Sequence, residues 1–218
     1  MQKTIYKALV SNRFGGSLDD TFQRRLTKLF LPYELAFGGP IHLHEWWGIL
    51  KRCRTADAVK IIKCWCNGWA TSKRYGNNED FLLPCLFGCS HKADELQHYL
   101  NCPHLFALWS FLAGEVSSNP LIRWGLMHPN YNAYLQIACV FSGYHAVRRK
   151  FKDACEIFHN NLTCISGSQM RVSWTVFADA FIVNAREVSL NCRCFSVPSF
   201  LEYLNSRNSD SSSCLIDT

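Results

Sequence analysis

The stretch Pro84–Trp109, PCLFGCSHKADELQHYLNCPHLFALW, decides how the rest of the chain is read. Within it Cys85, Cys89, His98 and Cys102 are spaced Cys-x3-Cys-x8-His-x3-Cys, four soft ligands inside eighteen residues. Closed structural zinc sites are made of such Cys3His sets, two close ligands followed by two more, so Zn2+ is the expected cofactor. Cys85 and Cys89 flank Leu-Phe-Gly, a turn in which Gly88 can take a left-handed conformation and let both thiolates face one ion. Asp94 through Leu100 reads as a short helix. If it ran on to Cys102, His98 and Cys102 would lie one turn apart on the same face. Pro103 suits the first turn of a further helix, where a missing N–H costs nothing. The chain holds 12 Cys and 8 His, so some proximity arises by chance, and free Cys is also a common core residue. His91 and His104 are the substitute ligands.

On the N-terminal side the sequence is basic. Between Lys51 and Tyr75 stand Lys51, Arg52, Arg54, Lys60, Lys63, Lys73 and Arg74 against one acid, Asp57, a local excess that matches the +6 of the whole chain. Thr55 is the expected N-cap of a helix over 56–69, with Val59, Ile62, Trp65, Cys66 and Trp69 on its apolar face. Lys60, Lys63, Lys73 and Arg74 are candidate phosphate contacts. Trp69, Tyr75 or Phe87, if exposed, would stack on a base. The competing reading makes Trp65 and Trp69 core residues and the cations a solvated rim.

The succession CNGWATSKRY, CLFGC, DELQHYLNC and PHLFALWSFL resembles the zinc-binding region that follows the polymerase domain in non-LTR retrotransposon reverse transcriptases, the dinoflagellate and protist type in particular. The likeness spans about residues 55–115. It implies zinc on Cys85, Cys89, His98 and Cys102, and a parent protein that handled template RNA or target DNA. The polymerase domain with its paired aspartates is missing upstream, where only about 50 residues precede the basic helix, so the chain looks like a detached C-terminal piece. Phe177-Ala178-Asp179-Ala180 has one carboxylate where the polymerase signature has two, and it sits in a helical pattern. No Gly-x-Ser-x-Gly, phosphate-cradling loop or His-Glu-x-x-His is present, and the chain is expected not to be an enzyme.

Toward the N-terminus, residues 1–50 read as a helical lead-in, with a helix from Ser17 to Pro32 and strand-like alternation at His42 and His44 before Trp46-Trp47. Residues 51–115 form the basic helix and knuckle. Residues 116–190 form a helical hairpin. Its first helix carries Tyr134, Ile137, Ala138, Phe141, Tyr144 and Val147 and continues to Phe158. Its second spans about Gln169–Val188 with Trp174, Phe177, Phe181 and Val188 available for pairing. Arg148, Arg149, Lys150 and Lys152 make a second basic cluster. Residues 191–218 are expected to be mostly disordered, and Cys192 and Cys194, like Cys64 and Cys66, lack partners nearby in sequence. The expected fold is mainly α, a small Cys3His zinc knuckle inserted between a basic amphipathic helix and a C-terminal αα-hairpin.

At 218 residues, 48% hydrophobic and 14% aromatic, the chain can bury a sizeable core. No apolar run approaches the ~18 residues of a membrane helix, and Met1–Phe14 lacks the apolar core of a signal peptide. A reducing intracellular compartment, nuclear or cytoplasmic, is therefore expected. The expected function is a zinc-stabilised module that binds RNA or DNA, preferably single-stranded or structured RNA. Two alternatives stay open: a zinc-stabilised protein-interaction module anchored by Trp46, Trp47 and Trp109, and a decayed transposon fragment with no role.

Overall fold

A computed structural model of the chain describes residues 43–66, 68–75, 83–114, 116–151 and 165–210, together with Arg24 and Lys28. The expected helix 17–31 lies outside them apart from those two helical residues, as do the continuation past Phe151 and the end of the tail. The described chain is helical: α1 (Leu43–Leu50), α2 (Thr55–Trp65), α3 (Ser72–Tyr75), α4 (Leu96–Tyr99), α5 (Pro103–Ala113), α6 (Pro120–Arg123), α7 (Tyr131–Lys150), α8 (Gly167–Glu187) and α9 (Val197–Asp210). None of these helices is long and apolar enough to cross a membrane.

The fold is built around the pair α7–α8, as the hairpin expectation required, with α2 packed on α7 and with α5 and α9 packed beside α8. Asn130 caps α7, and Ser166 with Gln169 makes a reciprocal capping box at the start of α8. Gly143 of α7 lies against Phe177 so closely that a Cβ there would stand 2.6 Å from the ring, which is how two bulky helices come together. Six of the seven tryptophans are fully buried. Trp69 sits at their centre, 4.3 Å from Tyr144, 5.6 Å from Tyr99 and 5.9 Å from Trp124 between ring centroids. Each such side chain removes roughly 150–250 Å² from water, so this aromatic cluster is the main apolar store of the fold.

Several expectations are corrected in detail. Of the histidine alternation before Trp46, His42 lies outside the described residues and His44 is helical: Leu43–Leu50 is α1, which places Trp46 and Leu50, four apart, in the core. In α2 the phase differs. Arg54, not Thr55, is the N-cap, and the buried face is Asp57, Ile61, Cys64 and Trp65, while Val59 is 44% exposed. An apolar template misses that face because it begins with a carboxylate. Asp57 is buried against the Arg54 guanidinium (2.6 Å) and the Lys60 ammonium (3.6 Å). The supposedly disordered tail contains α9, whose Phe200 is fully buried and stacks edge-on with Phe111 and Trp174. One aromatic per helical face suffices to dock a segment whose average composition is polar.

Candidate metal centre

The knuckle begins where the backbone doubles back. Pro84 and Ala93 form an isolated antiparallel bridge, with Cys85 N donating to Lys92 O (2.7 Å) and Asp94 N to Leu83 O (2.7 Å). Between them Gly88 has φ +98°, the left-handed conformation its position required. Its α-carbon faces Met170 of α8, whose sulfur would collide with a Cβ, while Trp174 Nε1 donates to Phe87 O (3.4 Å) and Phe87 packs edge-on to Phe177. The knuckle is thus seated on α8. Gly88→Ala is expected to lower stability by about 2–3 kcal/mol through strained φ and the Met170 contact. Thermal unfolding measures it; a Tm unchanged within a degree would show the seat to be absent.

The helix expected over 94–100 is shorter, Leu96–Tyr99, and the fourth ligand comes from the next element. Cys102 is the N-cap of α5, its sulfur accepting from Leu105 N (3.4 Å), with Pro103 in the first turn. His98 and Cys102 therefore converge from two helices rather than one face of a single helix. All four ligand atoms of Cys85, Cys89, His98 and Cys102 lie within 4.8 Å of one another. Cys102 Sγ is 3.8 Å from Cys85 Sγ and 3.5 Å from Cys89 Sγ. His98 Nε2 is buried with no hydrogen-bond partner, and an orphaned imidazole nitrogen beside three thiols is what a metal ion satisfies. The four residues can hold a metal ion. His91 is exposed and His104 stands outside the set; the backbone N–H of His104 donates to Cys89.

Charge at the cluster is divided unevenly. Hydrogen bonds from Cys102 and then Cys85 pull the Cys89 thiol down to about 4, whereas burial, followed by those same neighbours, holds Cys102 well above the ordinary thiol value. Without a cation only part of the cluster can ionise, because like charges this close oppose one another. A divalent cation removes that opposition. N–H donors from Phe87 to Cys85 and from Leu105 to Cys102, both at 3.4 Å, are already oriented at sulfur. Cys89 and His98 border a surface cleft of about 580 Å³ together with Lys92, Glu95, Asn101 and His104, which gives an ion a route in.

The candidate nucleic-acid residues divide. Lys63 and Arg74 are exposed. Lys60 is engaged inside the fold, donating to Asn184 Oδ1 of α8 (2.7 Å) and pairing with Asp57. Lys73 and Tyr75 belong to α3, but their side chains lie outside the described residues. Trp69 and Phe87 have no exposed surface, so neither can stack on a base; both are needed in the core. Of the tryptophans proposed as protein-binding anchors, Trp46 and Trp109 are buried and Trp47 is half-buried. Asp179 is an exposed residue of α8.

Sequence reasoning missed Asp94. It is fully buried, and its carboxylate accepts from Ser72 N (2.7 Å), Tyr99 Oη (2.7 Å) and Tyr144 Oη (2.9 Å), with Arg148 Nε at 3.8 Å. A lone aspartate before a short helix reads as a cap, and nothing local shows that its partners come from α3 and α7.

No known protein family, no curated protein and no solved structure matches this chain.

Proposed function

We propose that this chain is a zinc-ordered module that binds single-stranded or structured RNA through exposed cations beside its knuckle. The observation that carries the reading is the closed Cys3His cluster. A tetrahedral ion with Zn–S bonds of about 2.3 Å has ligand–ligand edges of about 3.8 Å, and the sulfur of Cys102 stands 3.8 Å from that of Cys85 and 3.5 Å from that of Cys89. Three thiolates and one imidazole form a soft set that suits zinc over magnesium or calcium. With four protein ligands no position is left for a substrate, so the metal's role is structural. It would fix the turn at Gly88 and the start of α5, and with them the segment before the knuckle that carries Arg74.

Lys63 and Arg74 supply the phosphate contacts in this reading. Support for single strands is negative in kind: the exposed cations sit on helix ends and a short turn rather than along a helix that could enter a major groove. The double variant Lys63→Ala/Arg74→Ala is expected to weaken binding of a labelled single-stranded RNA about 25-fold at 0.1 M salt. The slope of log K against log salt should shrink by about 1.4, two contacts at about 0.7 each. Lys60→Ala should leave that slope unchanged, because Lys60 already holds Asn184. Binding indifferent to salt, or equal in the double variant, would count against RNA and for a protein partner.

A further inference from the structure

The two basic clusters, far apart in sequence, meet in space. Arg148 Nε donates to Ala70 O (3.0 Å), pinning the last turn of α7 to the segment that leads from Trp69 into α3. Tyr144 lies 4.3 Å from Trp69 on the same side, and α2 packs along α7. On that turn His145 and Arg149 are one helical turn apart, so they share a face. His145 rests on Phe141 with ring centroids 4.1 Å apart. Its Nε2 is buried and without a hydrogen-bond partner. Burial first, then the charges of Arg149, Lys63 and Arg74, hold its imidazole down to about 4. Cations from α2, α3 and α7 thus all act on one ring, and Lys63, Arg74 and Arg149 are exposed.

We infer that Lys63, Arg74 and Arg149 form one phosphodiester-binding surface centred on His145, where the ends of α2 and α7 meet α3. The inference rests on the RNA-binding reading above and adds to it the α7 contribution and the place where the strand lies. Three neighbouring cations brought together in this way repel one another and are relieved by a polyanion. A strand docked there offsets the charges of Lys63, Arg74 and Arg149 and changes the surroundings of the His145 ring, while the burial that chiefly holds its imidazole down stays in place.

The test uses the metal-loaded chain and a labelled single-stranded RNA oligonucleotide, at pH 5.5–7.5. Arg149→Ala should weaken binding about fivefold at 0.1 M salt and reduce the salt slope by about 0.7, the same change as Lys63→Ala. Ring resonances of His145 should shift when RNA is added to the wild-type chain and should shift less in Arg149→Ala, because the strand lies against the face that His145 and Arg149 share. If RNA binds but Arg149→Ala keeps the full slope and His145 stays silent, the shared surface is wrong while the RNA-binding reading stands. If the wild-type chain shows no salt-dependent RNA binding, both fall.

Discussion

Cys102→Ser protein is expected to carry no metal and to lose the ordered structure of the knuckle and α5. Cys102 is the hinge of the cluster: its sulfur touches both other thiols, accepts from Leu105 N, and caps α5. A structural zinc contributes on the order of 10 kcal/mol to a small domain, comparable with the ~5–15 kcal/mol total stability of a folded one. The aromatic core shares residues with the knuckle, since Phe87 and Tyr99 pack against Phe177 and Tyr144. Loss of metal should therefore be felt in the near-ultraviolet circular dichroism of the buried tryptophans. Chelator treatment of the wild-type chain should reproduce the variant's spectrum. Cys64→Ser serves as the control: Cys64 is equally buried but accepts from Trp69 Nε1 (3.2 Å) and stands outside the ligand set, so that variant should keep its metal. One equivalent of metal retained by Cys102→Ser, with the wild-type spectrum, would overturn the site.

The ligand set was legible because metal chemistry fixes residue type and spacing within one short stretch, and burial does not alter either. The αα-hairpin was legible for a related reason: Ile137, Phe141 and Tyr144, and Trp174, Phe177 and Phe181, repeat at the helical period over many turns. What the sequence concealed depends on pairings over long separations. The phase of α2 turns on Asp57, an inward-facing carboxylate that only its ion pairs make tolerable. Trp69 stands in the basic segment between Lys63 and Lys73, where surface is the local expectation, yet it is enclosed by Tyr99, Trp124 and Tyr144 from three later elements. Lys60 has the composition of a phosphate contact and the geometry of a strut to α8. In each case the local residue type is compatible with both outcomes, and a partner tens of residues away selects one.

Asp94→Ala is expected to cost about 3–5 kcal/mol, the largest effect of any single change outside the ligand set. The carboxylate joins three elements: Ser72 at the start of α3, Tyr99 of the knuckle, and Tyr144 and Arg148 of α7. Removing it strands a backbone N–H and two hydroxyls in a site closed to water, at about 1–3 kcal/mol for each group left unsatisfied. Arg148 keeps its bond to Ala70 O but loses its counter-charge. Asn is a poor replacement. Its oxygen could serve both tyrosines, but its NH2 would face the Ser72 N–H, donor against donor, so Asp94→Asn should still cost about 2 kcal/mol. The pH dependence has a definite sign. Burial raises the Asp94 pKa above its ordinary value, against the pull of Tyr99, Ser72, Tyr144 and Arg148. The folded chain thus holds this proton more tightly than the unfolded chain, and the group's contribution is fullest below about pH 4 and declines as pH rises through the folded value. The carboxyl group is held in place by its donors despite that burden, which is why removing it hurts although burial disfavours its ionised form. Urea unfolding of Asp94→Ala, Tyr144→Phe and the double variant should give a coupling of about 1–2 kcal/mol. If Asp94→Ala cost less than 1 kcal/mol, the junction of α3, knuckle and α7 would not depend on this carboxylate.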